Sequence, residues 1–114
     1  PTEALFDALA ARYNPALIER DPFTLQFVFT DTNETISVDV GRDAAFPRYG
    51  HQAESPLAEF STTRALFNRL VLKESSALMM IVTGKIKIAG KRAAVSEFFD
   101  ALEEPPNDFP VATP

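Results

Sequence analysis

Apolar side chains recur along this chain at two different periods, and the switches between them outline a fold. From Thr2 to Tyr13, Leu5, Phe6, Leu9, Ala10 and Tyr13 share one face at helical spacing, which predicts an amphipathic helix. Asn14-Pro15 stops it and opens a short second turn carrying Leu17 and Ile18, which Asp21-Pro22 breaks. The period then becomes two. In Phe23–Phe29 every odd position is large and apolar; in Glu34–Val40 the even positions from Ile36 onward are apolar. Two such runs joined by Asp31-Thr32-Asn33 predict a hairpin with one buried face, Asn tolerating the positive φ of a tight turn.

Residues 42–56 show no clear period and are punctuated by Pro47, Gly50 and Pro56. A loop of that length in a small protein is functional or mobile, and it has room for one edge strand over Ala45–Tyr49. Leu57–Thr62 returns to strand character. Thr62 or Thr63 is placed to cap a helix over Arg64–Leu72 that aligns Phe67, Leu70 and Val71. Ser75–Val82 is apolar nearly all round, so as a helix it needs cover on more than one side. Thr83–Lys91 reads as a short strand closed by Gly84 and Gly90, with Ile86 and Ile88 alternating against Lys85 and Lys87. The last helix, Arg92–Leu102, sets Val95, Phe98, Phe99 and Leu102 at i, i+3, i+4, i+7. Glu103–Pro114, with four prolines, predicts an extended tail. The order of elements predicts an α+β sandwich: a mixed sheet of four or five strands covered by about five helices, in one domain spanning 1–114.

Composition changes this picture in three ways. The chain has 114 residues, net charge −5 and a pI near 4.8, which argues against nucleic acid or an anionic membrane as a general partner. It has no Cys and one His, so neither a thiolate metal site, a cysteine nucleophile nor a zinc cluster can be drawn from it. It has ten Phe, two Tyr and no Trp, which suits a purely apolar interior or the wall of a pocket. The longest unbroken apolar run, Ala77–Val82, is far too short for a membrane span, and no signal pattern opens the chain. The reading is a soluble protein, cytoplasmic rather than secreted. Its start at Pro1 instead of Met points to a processed product or a piece of something longer.

No catalytic constellation assembles from this inventory. His51 sits in a polar loop bounded by Gly and Pro and reads as a surface histidine; no Gly-x-Ser-x-Gly elbow offers it a nucleophile. Gly84–Arg92 has five residues between its glycines where a phosphate loop has four, and Arg92 stands where that loop needs Ser or Thr. The sequon Asn33-Glu34-Thr35 matters only in a glycosylating pathway. Glu103-Glu104, and Asp39 with Asp43, lack the apolar surroundings that raise a carboxyl pKa for acid catalysis. Two features remain. The run Leu78-Met79-Met80-Ile81-Val82 reads as core or as an adaptable ligand wall. The group Lys85, Lys87, Lys91 and Arg92 reads as an anion clamp or as a charged guard on a sheet edge.

Together, Ala58-Glu59-Phe60-Ser61-Thr62, two helical segments, the Gly84-Lys85-Ile86-Lys87-Ile88-Ala89-Gly90 strand and a closing helix resemble a sterol-carrier-protein-2-like domain. The ending Phe109-Pro110-Val111-Ala112-Thr113-Pro114 is similar to that of the C-terminal domain of bacterial alkyl sulfatases. The resemblance implies an apolar tunnel between sheet and helices that takes fatty, sterol or alkyl chains. It also implies a parent enzyme with a zinc-binding, metallo-β-lactamase-type catalytic domain whose His cluster this chain lacks. The resulting expectation is a non-enzymatic, cofactor-free module that binds a long-chain amphiphile, as a carrier or as the substrate-recruiting part of an alkyl sulfatase. Amphipathic phase nominates Phe67, Leu70, Leu78, Met79, Val82, Phe98 and Phe99 as the lining, with Lys91 and Arg92 near the headgroup. The competing expectation is an interaction or dimerisation module that packs an apolar surface on a partner domain or on a second copy.

Overall fold

The alternation along the first two strands produces the hairpin it predicts. In the computed structural model, which describes residues 2–18, 20–71, 79 and 82–102, β1 (Phe23–Phe29) and β2 (Glu34–Val40) pair antiparallel from Phe23↔Val40 to Phe29↔Glu34. Asn33 turns the corner at φ 57°, the single non-glycine residue with positive φ among those described. The period-free region holds the expected edge strand, β3 (Ala45–Tyr49), antiparallel to β2. Then β4 (Ala58–Thr62) lies parallel to β1, and β5 (Lys87–Gly90) runs antiparallel to β4. The result is a mixed five-stranded sheet in the order β3-β2-β1-β4-β5.

Register carries one side-chain phase across the whole sheet. Leu25 and Phe27 stand beside Val38 and Ile36 on one side and beside Ala58 and Phe60 on the other, and Phe29 stands between Glu34 and Thr62. This face is covered by α1 (Thr2–Arg12), α2 (Arg64–Val71) and α3 (Arg92–Asp100). Phe6 and Leu9 of α1, Phe67, Leu70 and Val71 of α2, and Val95, Phe98 and Phe99 of α3 are all buried in one cluster with the strand residues. Thr63 Oγ1 accepts from Leu66 N at 3.2 Å and Asp31 Oδ1 from Arg64 N at 3.0 Å, so α2 is capped by the residue foreseen and also by the hairpin turn.

Two expectations are corrected. Among the described residues three α-helices are complete, beside one 3-10 turn, Pro15–Leu17, and the separate helical residues Met79 and Val82, so the helix count is lower than five. Asn14 caps that turn by accepting from Ala16 N at 3.0 Å, but Ile18 is already extended, so the stretch is too short to close an α-helical ring. Met79 and Val82 are helical; Leu78 and most of the Ser75–Val82 segment lie outside the described residues, as does the 103–114 tail. The cationic strand also begins later than expected, at Lys87. Gly84 turns at φ 79°, and the Lys85 carbonyl accepts from Thr62 Oγ1 at 2.9 Å in place of a ladder bond. The phase nevertheless survives: Ile86 is buried and Lys87 exposed. At the far end of β5, Gly90 has φ 91°, and a Cβ there would meet Leu57 O at 2.6 Å, so only glycine fits.

Where the chain crosses from β3 to β4 it must pass over β2 and β1, and it does so on the face away from the helices. That face would be polar in isolation, and two of its side chains, Gln26 and Ser37, are fully buried beneath the crossing. Gln26 donates to the His51 carbonyl at 3.1 Å and accepts from Ala53 N at 2.7 Å; Ser37 Oγ and His51 Nδ1 are 2.9 Å apart. His51 is exposed, as expected, but its ring is tied to the sheet instead of standing in solvent.

Removing the ring that touches most of the core is expected to be severe. Phe67→Ala should cost about 3–5 kcal/mol by chemical denaturation, the range for deleting a fully buried aromatic side chain; a loss under about 1 kcal/mol would show that Phe67 does not support the core. A second expectation concerns pH. Arg20 Nε and Nη2 donate to both carboxylate oxygens of Glu97 at 2.9 and 2.7 Å and hold that carboxyl below its ordinary value of 4.5. A depressed folded-state value gives stability that is complete above the ordinary carboxylate range and is lost as pH falls through the depressed one. The Tm difference between wild type and Glu97→Gln should therefore be largest above pH 4.5 and close below it; a difference independent of pH would rule out the ion pair as its source.

Candidate functional site

The candidate lining residues fall into two groups. Phe67, Leu70, Phe98 and Phe99 come together between sheet and helices, where 3.6 periodicity in α2 and α3 meets period two in β1 and β4. Phe67 lies parallel to Phe6 at 5.3 Å and edge-on to Phe27 at 5.7 Å. Phe99 packs on Phe60 at 5.6 Å and on Phe98 at 5.7 Å, and Phe98 in turn meets Tyr13 at 6.0 Å. These rings are interleaved at ordinary aromatic spacing. Phe67 is completely buried, whereas Leu70 and Phe99 keep 7% and 8% of their surface accessible and mark the border of the cluster. Met79 and Val82 form the second group. Both are helical, and both are exposed, at 59% and 71%. Leu78 lies outside the described residues.

Phase arguments on single segments passed over the residues that complete the aromatic layer: Phe6, Phe27, Phe29 and Phe60. The signal is present, because the odd positions of β1 and Ala58 and Phe60 of β4 are apolar. It needed the β1/β4 register, Phe27 beside Phe60, to become a layer.

The nominated headgroup cations lie at the start of α3. Lys91 occupies the N-cap position without a side-chain capping bond, and Arg92 is the first helical residue; both are exposed. Lys91 N donates to the Leu57 carbonyl at 3.0 Å, which ties this corner to the entry of β4. Lys87 stands on the opposite face of the sheet from the aromatic layer, as the alternation requires.

Polar groups collect elsewhere. A groove of about 540 Å³ runs between the first turn of α1 and the β2–β3 edge, bordered by Thr2, Glu3, Glu34 and Tyr49. Hydrogen bonds from Thr2 and Thr32 hold the Glu34 carboxyl below its ordinary value. The Tyr49 phenol donates to Asp7 Oδ1 at 2.6 Å and to the Glu3 carbonyl at 2.9 Å, and burial followed by that carboxylate raises its pKa. A smaller groove of about 180 Å³ lies beside Tyr13 and Arg20, and one of about 230 Å³ beside Phe23 and Phe46. Among the described residues, no three His, Cys, Asp or Glu side chains are gathered to hold a metal ion, and no helix is long and apolar enough to cross a membrane. Ser37 and His51 are paired, but Ser37 is 1% exposed and sealed under the crossing, so no substrate carbonyl can reach its hydroxyl.

This geometry has close counterparts. Over 96% of its length the chain superposes on the stereoselective inverting sec-alkylsulfatase Pisa1 from Pseudomonas sp., with a TM-score of 0.88 and 21% identity. It spans only 17% of that enzyme's length. It also matches a UbiJ-SCP2 ubiquinone synthesis protein (TM-score 0.69, 11% identity, 88% of each chain). Palmitated SCP2L2 from Aedes aegypti shares the fold too (TM-score 0.66, 16% identity, 86% of this chain and 90% of that one). No curated protein matches the sequence. The fold is thus the sterol-carrier-like sandwich. Because the family model for the alkyl sulfatase C-terminal region matches residues 1–114, the chain belongs to the alkyl sulfatase C-terminal family.

Proposed function

We propose that this chain binds a long-chain amphiphile without transforming it, and that it serves as the substrate-recruiting module of a larger alkyl sulfatase. One observation carries this reading. The interior is one apolar cluster with a layer of aromatic rings at its centre, and two large apolar helical side chains between α2 and β5, Met79 and Val82, are exposed. An alkyl tail entering past Leu70 and Phe99, with Leu78, Met79 and Val82 closing over it, would bury methylenes against that layer. Phe67 and Phe98 would form its floor. The fold shared with a palmitated protein, and membership of a family named for alkyl sulfatases, support the choice of an alkyl chain.

Magnitudes set the expected affinity. Each buried methylene contributes about 0.8 kcal/mol, so a twelve-carbon tail supplies roughly 9 kcal/mol before association costs of at least about 4 kcal/mol. The difference, about 5 kcal/mol at most, puts the tightest binding at a Kd on the order of 0.1 mM. The headgroup stays at the rim, beside Lys91 and Arg92, where the first-turn amides of α3 also favour an anion. In this reading the partner that performs the hydrolysis is a separate metallo-hydrolase domain. A second reading rests on the same exposed pair: Met79 and Val82 would instead pack on that domain or on a second copy.

Dodecyl sulfate or a fluorescent fatty acid, titrated below its micelle concentration, should saturate at one ligand per chain. Non-saturable partitioning would refute the binding function. Val82→Asp, at an exposed position, should leave Tm unchanged and weaken binding about tenfold, as expected for moving a charge onto tail-binding surface. If it leaves binding intact but turns a dimer into a monomer in light scattering, the second reading replaces the first. Lys91→Ala with Arg92→Ala should weaken an anionic amphiphile a few-fold, the scale of a rim ion pair of about 0–1 kcal/mol, and spare the matching alcohol. Equal effects on both ligands would remove these two residues from the site.

A further inference from the structure

The two edges of the sheet are not equivalent. At the β3 edge, Gly41 N donates to the Ala44 carbonyl and Gly50 N to the Thr35 carbonyl, each at 2.8 Å. That register turns the even positions of β3 toward β2 and the odd ones, Ala45, Pro47 and Tyr49, toward the open side. Pro47 stands at the middle of that edge without an N–H, so an incoming strand would find its ladder interrupted there.

The β5 edge is different. Thr30 N donates to the Thr62 carbonyl, so the even positions of β4 bond β1, and its odd positions, Glu59 and Ser61, bond Ala89 and Lys87 of β5. The N–H and C=O of Ile88 and the N–H of Gly90 are left pointing out of the sheet. No backbone partner meets them among the described residues. Ala89 and Gly90 are exposed, Ile88 is half-buried, and the strand runs without a bulge from Lys87 to Gly90.

The charge at this edge has one sign. Lys85, Lys87, Lys91 and Arg92 are all exposed, and among the described residues none of them takes part in an ion pair. They stay unpaired in a chain with sixteen acids against eleven bases. On the adjoining elements, Glu59 stands beside Ala89 and is half-buried, and Glu97 is held by Arg20. Along β5 the Lys87 side chain faces away from the aromatic layer, whereas Ile88, opposite Phe60, lies on the same face as that layer.

We propose that β5 is a docking edge for an extended acidic segment of another polypeptide, which adds one strand to the sheet. Main-chain bonds to Ile88 and Gly90 hold the segment, and the alternation of β5 sets its composition: acids on the face of Lys87, an apolar side chain beside Ile88. Few main-chain bonds are on offer, so the contact depends on charge. A second copy of this chain does not fit. Pairing β5 with β5 sets the lysines of one copy against those of the other, and lysines on an edge work against such self-pairing. Pairing β5 with β3 meets Pro47. The proposal uses the edge of β5 with Lys85 and Lys87, which play no part in amphiphile binding, so either reading can fail without the other.

The probes are two capped peptides, Thr-Glu-Val-Glu-Val-Glu-Thr and its counterpart with lysine in place of glutamate, added to the isotope-labelled full chain. Amide hydrogen exchange is followed residue by residue by NMR. At about 90% saturation with the acidic peptide, the Ile88 and Gly90 amides should exchange about tenfold more slowly, while the inward amides of Lys87 and Ala89 change far less. The lysine peptide should bind at least about fivefold more weakly. Lys85→Glu with Lys87→Glu, both at exposed positions, should reverse that preference. Ile88→Pro removes the central outward donor and should abolish the protection of Gly90; if that variant unfolds, the charge reversal decides alone. Equal binding of the two peptides, a preference that survives the reversal, or no protection of Ile88 and Gly90 at millimolar acidic peptide would overturn the docking edge. Protection of Ile88 that rises with protein concentration in the absence of peptide would also overturn it, by giving the edge to a second copy.

Discussion

Everything in this structure leans on one layer of phenylalanine rings held between the sheet and the helices. Phe27, at the centre of the central strand, meets Phe6, Phe60, Phe67, Phe98 and Phe99 at centroid distances of 5.4–6.3 Å. Three helices and β4 thus share contact with one side chain of β1. Such rings have no hydrogen bond to satisfy, so they can turn edge-on or parallel as space requires, and here they do both. Each helix is short, eight to eleven residues, and would be marginal alone. Packing against the layer is what makes them stable, and the layer exists only when the helices are docked.

The opposite face answers a topological demand. Placing β4 parallel to β1 while β2 and β3 intervene forces the chain to cross the sheet, and a crossing buries whatever lies under it. Gln26 and Ser37 would be unremarkable solvent-facing residues on an open sheet. Under the crossing they become obligatory hydrogen-bonding groups, and the backbone of His51 and Ala53 and the His51 ring satisfy them. An apolar residue at either position would leave the crossing without its anchors. The sandwich therefore has an oily side that its helices require and a polar side that its connectivity requires.

Function follows from this division. Chemistry needs polar groups that converge on an accessible point; among the described residues, Ser37 and His51 are engaged with the crossing, and Tyr49 and Glu34 with the first turn of α1. In the proposed reading, what the fold would offer a ligand is apolar area at the border of the aromatic layer. The chain spans 17% of the length of the Pseudomonas sulfatase on which it superposes.

Much of this was decided by short-range pattern. Period two in Phe23–Phe29 and Glu34–Val40, the Asn33 corner, the Thr63 cap and the phase of Phe67, Leu70, Phe98 and Phe99 are local properties, and a chain carrying them has little freedom to do otherwise. The helix count and the start of the last strand were not local. The stretch after Pro15 closes as a 3-10 turn because Ile18 leaves extended, and Lys85 stays out of the ladder because Thr62 takes its carbonyl. His51 shows the limit most clearly. Its sequence neighbourhood is that of a surface loop, and it is exposed; only the crossing of β3 to β4 brings it over Ser37, fourteen residues away in the chain. Side-chain phase along a segment is set by backbone geometry and can be read residue by residue. Which segments meet is set by register and handedness summed over the whole sheet, and no single stretch of sequence contains it.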